Sequence, residues 1–94
     1  NLPIVVETRT LEEVDACLAY NGSIARILLD NMNTDRLREA LQLINGRIST
    51  EASGGINLNN VVSIAETGVD YVSMGSIIYS AKVIDMSLKA VSLI

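Results

Sequence analysis

The sequence predicts an α/β fold: part of a (β/α) barrel, made of four successive parallel strand–helix units. Apolar runs such as 4–6 and 27–29 are continuous rather than alternating, which is typical of parallel strands buried on both faces. Each run precedes a segment with apolar residues at helical spacing, so right-handed crossovers should join the strands. Such an array also fits a doubly wound sheet. Polar residues near the carboxyl ends of the strands favour the barrel, because there they would share one rim.

The first unit has clear helix boundaries. A strand at about Ile4–Glu7 is followed by Thr10, which fits a helix N-cap, and by Glu13, which fits the returning half of a capping box. We expect Asn21–Gly22 to end this helix. Its apolar face would carry Leu11, Val14, Cys17 and Leu18.

The second unit repeats this pattern. Its strand is predicted at about Ala25–Asp30, and Asn33 or Thr34 can cap the helix that follows. Asn45–Gly46 is expected to end that helix. Its apolar positions are Leu37, Ala40, Leu41 and Ile44.

The third and fourth units complete the chain. The third strand is predicted at about Arg47–Ser53, with a helix that begins near Leu58 and is closed by Gly68. The fourth strand is predicted at about Asp70–Met74, and a last helix begins near Ala81.

The composition excludes several classes of function. The 94 residues carry one Cys, no His and a net charge of −4, so we expect one small domain at most, without a usual zinc site or an internal disulfide. The seven Lys and Arg residues do not cluster, which argues against a nucleic-acid partner. No apolar run approaches the ~20 residues of a membrane span. Cys17 is expected to be a core residue, because a nucleophilic cysteine would need a nearby base such as His.

Two glycine turns follow predicted strands. Ser53-Gly54-Gly55 ends the third strand, and Gly75-Ser76 ends the fourth. Glycine lets the backbone approach a ligand closely and aim its N–H groups at it, and we expect a helix after each turn. Two such turns on neighbouring strands would form a phosphate pocket at the end of a β/α barrel. The sequence therefore predicts a phosphorylated substrate.

Three carboxylates, Glu7, Asp30 and Glu51, stand near the ends of successive strands. Together with Gly75 they recur every 21 to 24 residues, which would bring them to one rim. Carboxylates that end apolar strands are costly to bury without a partner; a cation, ribose hydroxyls or a basic side chain would provide one. Each acid could instead cap a helix or meet solvent. Lys82, near the start of the last helix, is either a phosphate contact or a solvated lysine.

The four units are expected to be part of a larger assembly. A closed eight-stranded barrel takes about 250 residues, and an open piece would expose two sheet edges and a broad apolar inner face. We therefore expect residues 1–94 to be a C-terminal barrel segment, without the N-terminal domain and the first barrel strands, or to pair with another chain. The missing part should supply the cations that an anionic substrate needs.

Six short runs carry a family resemblance: 4–8 (IVVET), 28–31 (LLDN), 44–47 (INGR), 51–56 (EASGGI), 65–71 (AETGVDY) and 84–89, with ID at 84–85 and LK at 88–89. They resemble the C-terminal barrel half of quinolinate phosphoribosyltransferases, also called nicotinate-nucleotide pyrophosphorylases (carboxylating). The resemblance covers nearly the whole chain but only about the last third of a family member. The EASGG and LDN runs together are fairly specific, whereas either alone would be weak.

The resemblance implies a reaction and a site. Family members convert quinolinate and phosphoribosyl pyrophosphate to nicotinate mononucleotide, pyrophosphate and carbon dioxide, with Mg²⁺, on the de novo route to NAD. By motif, Glu7 and Asp30 would lie by the ribose hydroxyls and the magnesium-bound pyrophosphate, with Glu51 on the same inner wall. A homodimer or higher homo-oligomer is expected, in the cytoplasm or in an organelle such as a plastid. The 5′-phosphate would be held by Ser53, Gly54, Gly55, Gly75 and Ser76.

One run departs from the family pattern. Family members commonly read GALTHS after the fourth strand, whereas residues 75–80 read GSIIYS. Tyr79 therefore stands where a His is usual; it keeps a hydroxyl for phosphate but lacks the imidazole. The resemblance also implies that the quinolinate carboxylates are bound by Arg, His and Lys residues outside this chain.

Two other interpretations stay open. A phosphate-binding barrel enzyme of the indole-glycerol-phosphate or thiazole-phosphate synthase type would use the same glycine turns. Such an enzyme normally places a catalytic Lys on a strand, and the predicted strands carry no Lys, which counts against this interpretation. A non-catalytic subunit could keep the fold for assembly. The three strand-end carboxylates argue against this, because a purely structural chain has no need of carboxylates on a buried rim.

Overall fold

The structure is a computed structural model that describes residues 4–92, with side chains as far as Leu88. Strands and helices alternate along most of this range. Their bounds are β1 Ile4–Thr8, α1 Leu11–Leu18, a 3₁₀ turn Asn21–Ser23, β2 Ile24–Asp30, α2 Thr34–Ile44, β3 Ser49–Ser53, α3 Val61–Ala65, β4 Tyr71–Met74, β5 Ile77–Ser80 and α4 Ala81–Ser92. The predicted α/β class and the strand–helix order are confirmed.

The strands form one sheet in sequence order, β1-β2-β3-β4-β5. The first four are parallel, as predicted. A fifth strand was not predicted: β5 pairs antiparallel with β4, with Met74 opposite Ile77. Gly75-Ser76 is the turn of this hairpin, and Gly75 takes a φ of 62°, which glycine adopts without strain. The turn therefore leads into a strand, and the helix begins only at Ala81.

The helices pack against one face of the sheet, because the strand order is sequential and the buried residues of all four helices join a single core. On the strands, Ile27, Leu29 and Val72 are completely buried there. Winding in one direction with all helices on one side is the arrangement of a barrel rather than of a doubly wound sheet. The helical residues of the core are Val14, Cys17, Leu37, Ala40, Ile44, Val61, Ile64, Ala65 and Ala81.

The opposite face is mainly polar, so the expected broad apolar inner face was wrong. Glu7, Leu28, Glu51 and Tyr71 are register partners and form one row across β1 to β4. Because side chains alternate along a strand, positions two residues away, such as Arg26, share this face. The expected apolar exposure lies instead at the sheet edges, where β1 presents Ile4 and Val5 and β5 presents Ile77 and Ile78, each between 48% and 55% exposed.

Local helix signals were accurate where a side chain caps the backbone. Thr10 and Glu13 form the predicted capping box of α1. Asn33, rather than Thr34, caps α2 through the backbone N–H of Arg36. Asn45 ends α2 in the left-handed conformation, with φ 51°, as expected for a C-terminal stop.

Three helix boundaries differ from the prediction. Helix α1 ends at Leu18, and Asn21–Gly22 lie in a separate 3₁₀ turn. Helix α3 begins at Val61 rather than near Leu58, because the side chains of Asn57 and Asn60 bond to the backbone of the preceding loop. It also ends at Ala65, before Gly68.

Candidate functional site

Arg9 joins two of the predicted carboxylates at the carboxyl edge of the sheet. Its Nη2 donates to Glu7 Oε1 and its Nε donates to Asp30 Oδ2, both at 3.2 Å. The side chain of Asp30 is only 20% exposed, whereas that of Arg9 is 71% exposed. The hydrogen bond to Asp30, followed by the charge of Glu7, raises the pKa of Arg9 above its ordinary value. The sequence pattern predicts the two acids at the site but not this arginine, which follows directly on β1.

The first glycine turn packs directly on Asp30. Ser53 Oγ donates to Asp30 Oδ1 at 3.3 Å, and the N–H of Asn31 donates to the carbonyl of Ser53 at 2.8 Å. Gly54 and Gly55 take φ values of 83° and 68°. A Cβ on Gly54 would come within 2.6 Å of Asp30 Oδ1, a distance that side-chain carbons do not tolerate. Glycine at 54 is therefore required both by the backbone angle and by this close approach.

Glu51 lies deeper, in the same row as Glu7. It is only 4% exposed, and its Oε1 accepts a hydrogen bond from Arg26 Nη1 at 3.0 Å. The Arg26 guanidinium carbon lies 4.1 Å from the centre of the Tyr71 ring. A buried carboxylate is thus neutralised by a guanidinium that stacks on an aromatic face. Arg26 was not predicted at the site, although it shares one face of β2 with Leu28 and Asp30.

The two glycine turns lie at the same edge of the sheet. β3 and β4 are parallel neighbours, with Ala52 paired to Val72, and Ser53-Gly54-Gly55 and Gly75-Ser76 follow their carboxyl ends. The structure therefore brings together the turns that the sequence argument placed in a phosphate pocket. Phosphate binding there stays a prediction.

Two predicted residues are not brought to this edge. Tyr79 pairs with Val72 on the helix-facing side of the sheet and packs against the core. Lys82 lines a surface pocket with Gly68 and Asp70, at the amino end of β4. The reason is the antiparallel β5, which returns the chain to the opposite edge before α4 begins. Neither side chain lies with the glycine turns in this structure.

The carboxylates do not form a complete metal centre by themselves. Among residues 4–88, no group of three or more His, Cys, Asp or Glu side chains is arranged to hold a metal ion. Glu7 and Asp30, held together by Arg9, supply two carboxylates at one edge. Mg²⁺ in proteins commonly takes one or two carboxylates and completes its shell with water and substrate phosphates. The residues present therefore fit a metal that arrives with a phosphorylated ligand.

None of the helices in the described part of the chain has the length and hydropathy that a membrane span requires.

These features define the class of protein as part of a (β/α) barrel with a carboxylate-lined edge. Residues 1–89 match the family model of the quinolinate phosphoribosyl transferase C-terminal domain. The chain belongs to this family.

Individual relatives agree with the family match. The chain is 46% identical to a chloroplastic nicotinate-nucleotide pyrophosphorylase (carboxylating) of Oryza sativa, over 94% of this chain and 27% of that protein. It is 46% identical to a mitochondrial quinolinate phosphoribosyltransferase (decarboxylating) of Nicotiana glauca, over 92% of this chain and 28% of that protein. The crystal structure of a nicotinate-nucleotide pyrophosphorylase from Ehrlichia chaffeensis superposes with a TM-score of 0.73 and 39% identity, over 79% of this chain and 26% of that chain. The chain thus spans roughly a quarter of the length of these relatives.

Proposed function

We propose that this chain is the C-terminal barrel segment of a quinolinate phosphoribosyltransferase. The enzyme would join quinolinate to phosphoribosyl pyrophosphate and release pyrophosphate and carbon dioxide, giving nicotinate mononucleotide for de novo NAD synthesis. One observation carries the proposal: Arg9 bridges two neighbouring strand-end carboxylates, Glu7 and Asp30, and Asp30 lies against the Ser53-Gly54-Gly55 turn. The family match and the names of the relatives support it.

The carboxylates suit the charge that develops in this reaction. The bond from the ribose anomeric carbon to pyrophosphate breaks, and a bond to the pyridine nitrogen forms. Positive charge grows on the ribose ring in the transition state, and fixed carboxylates nearby would stabilise it. Glu7 and Asp30 would lie by the ribose hydroxyls and Glu51 on the inner wall. The C2–carboxylate bond then breaks to release carbon dioxide, and the electron pair left on C2 takes up a proton from water, which completes the conversion.

Mg²⁺ is part of the proposal. Bound with the pyrophosphate of the substrate, it would neutralise the charge on the leaving group. Glu7 and Asp30 would hold it indirectly, through the ligand and water. Arg9 bridges the same two carboxylates in the structure.

The glycine turns would hold the 5′-phosphate of the ribose. Gly54 and Gly55 have positive φ values, a conformation in which successive N–H groups can converge on an anion. Gly75 and Ser76 follow the neighbouring strand at the same edge. The hydroxyl of Ser53 is already bonded to Asp30, so the phosphate and carboxylate regions adjoin.

The rest of the enzyme would complete the site. The pyridine carboxylates would be bound by cations outside residues 1–94, and the protein would act as a homodimer or higher homo-oligomer. The compartment named for the rice relative is the chloroplast and for the Nicotiana relative the mitochondrion, so an organelle is proposed beside the expected cytoplasm. The intact mass of the source protein tests the segment proposal, which requires a chain of about 250 residues or more.

A product-formation assay on the full-length protein tests the function. Quinolinate and phosphoribosyl pyrophosphate with Mg²⁺ should give nicotinate mononucleotide. Glu7→Gln and Asp30→Asn should each lower kcat about 100-fold, the scale on which a fixed electrostatic group contributes. Asp15→Asn and Glu39→Gln are matched controls, because both acids are exposed on helices. Unchanged turnover in both site variants would refute the site assignment.

A further inference from the structure

We propose that Arg26 is a positioning residue, which fixes the carboxylate of Glu51 on the inner face of the sheet and is itself fixed by Tyr71. The proposal rests on the proposed function, in which Glu51 faces the substrates.

The three side chains come from three neighbouring strands. Glu51 of β3 pairs in register with Tyr71 of β4, and Arg26 of β2 lies diagonally across from Glu51 on the same face. Arg26 donates to Glu51 at 3.0 Å and its guanidinium lies 4.1 Å from the Tyr71 ring centre. The arginine therefore reaches across β3 and is held by a carboxylate and a ring together.

Stability alone does not account for this cluster. The side chains of Arg26 and Glu51 are 28% and 5% exposed, and apolar residues of similar volume often replace a buried ion pair without loss of stability. The pair lies on the face that also carries Glu7 and Asp30, rather than in the helix-facing core. A costly pair in this position points to a requirement for a carboxylate held in one place.

The chemistry of arginine fits this role better than that of lysine. A planar guanidinium can stack on an aromatic ring while its N–H groups donate to a carboxylate in the same plane. An ammonium group is a point charge and cannot satisfy both geometries together. Tyr71 thus limits the orientation of Arg26, and Arg26 limits the orientation of Glu51. A carboxylate fixed before the substrate binds needs no reorganisation when charge develops in the transition state.

A double-mutant cycle in the full-length protein tests the proposal. Arg26→Met, Glu51→Gln and the double variant are assayed with kcat and KM measured separately for quinolinate and phosphoribosyl pyrophosphate. Arg26→Met should lower kcat by about tenfold or more, as when a residue that orients a functional ligand is removed, with smaller changes in KM. In the Glu51→Gln background, Arg26→Met should have little further effect, because the group it positions is gone. Arg26→Lys should have a kcat between those of Arg26→Met and the wild type.

The matched control is Arg38→Met, which removes an exposed arginine from α2 and should leave kcat unchanged. The proposal would be overturned if Arg26→Met lowered kcat by the same factor in the wild-type and Glu51→Gln backgrounds. A wild-type kcat for Arg26→Met would overturn it as well. If Arg26→Met does not fold, Tyr71→Leu should lower kcat more than Tyr71→Phe, and equal values would contradict the ring contact. A wild-type protein that makes no nicotinate mononucleotide would refute the proposed function itself, a result distinct from an active wild type whose variants fail the cycle.

Discussion

Gly54 lies so close to Asp30 that a side chain at position 54 would displace the carboxylate. A Cβ there would sit 2.6 Å from Asp30 Oδ1 and 3.1 Å from the backbone nitrogen of Asn31. Asp30 is also held by Arg9 and Ser53. The glycine turn and the candidate carboxylate site are therefore one structural unit, and a change in one should alter the other.

Gly54→Ala should accordingly reduce both stability and turnover. Its φ of 83° strains any residue with a Cβ, and the contact with Asp30 adds a clash, so we expect a loss of about 1–3 kcal/mol. Gly46→Ala is the matched control, because Gly46 has a similar φ of 75° with nothing within 4 Å of a Cβ. Denaturant unfolding and the product assay are applied to both variants. Equal effects on turnover would show that the Asp30 contact is not the cause.

Arg9→Gln should change the Mg²⁺ dependence of the reaction. Arg9 neutralises Glu7 and Asp30 in the structure, so a neutral residue would leave both carboxylates available to a metal-bound ligand. We expect half-maximal activity at a lower Mg²⁺ concentration than in wild type. Arg36→Gln, an exposed arginine on α2, is the control. A higher Mg²⁺ requirement would indicate instead that Arg9 binds the anionic substrate.

The parts of the fold that could be predicted depend on local signals. Thr10 with Glu13, Asn33 and Asn45 mark helix ends through bonds within four residues, so the sequence pattern identifies them directly. The hairpin strand β5 was missed because Ile77–Ser80 is only four residues long. Its turn also has the same glycine signal as a ligand-binding loop.

The partners of the carboxylates could not be predicted in the same way. Arg9 and Asp30 are 21 residues apart and Arg26 and Glu51 are 25 apart. Their contacts depend on strand register, which the alternation within a single strand does not determine. The acids could be placed near one rim, because strand ends share an edge. The pairing of each arginine with its carboxylate becomes visible only in the structure, where the register of the strands is known.

Thr10→Ala should destabilise the protein through the first helix. The hydroxyl of Thr10 accepts from the N–H of Glu13 at 3.1 Å, and Glu13 Oε1 accepts from the N–H groups of Arg9 and Thr10. Loss of an N-cap side chain costs about 1 kcal/mol. Thr10→Ser keeps the oxygen and should stay near wild type in denaturant unfolding. Equal midpoints for the Ala and Ser variants would contradict a stabilising role of the cap.

Cys17 should make stability fall at high pH. Burial, followed by the charge of Glu13, raises the pKa of its thiol above the ordinary value of 9.0. The Cys17 thiol ionises near pH 9.0 in the unfolded chain but stays protonated to a higher pH in the folded chain. Its contribution to the free energy of unfolding is therefore complete below pH 9.0 and is lost as the pH rises through the pKa of the folded state. The unfolding midpoint of wild type should therefore fall more steeply above pH 9.0 than that of Cys17→Ala, which lacks the titrating group. Parallel pH curves for the two proteins would contradict the raised pKa.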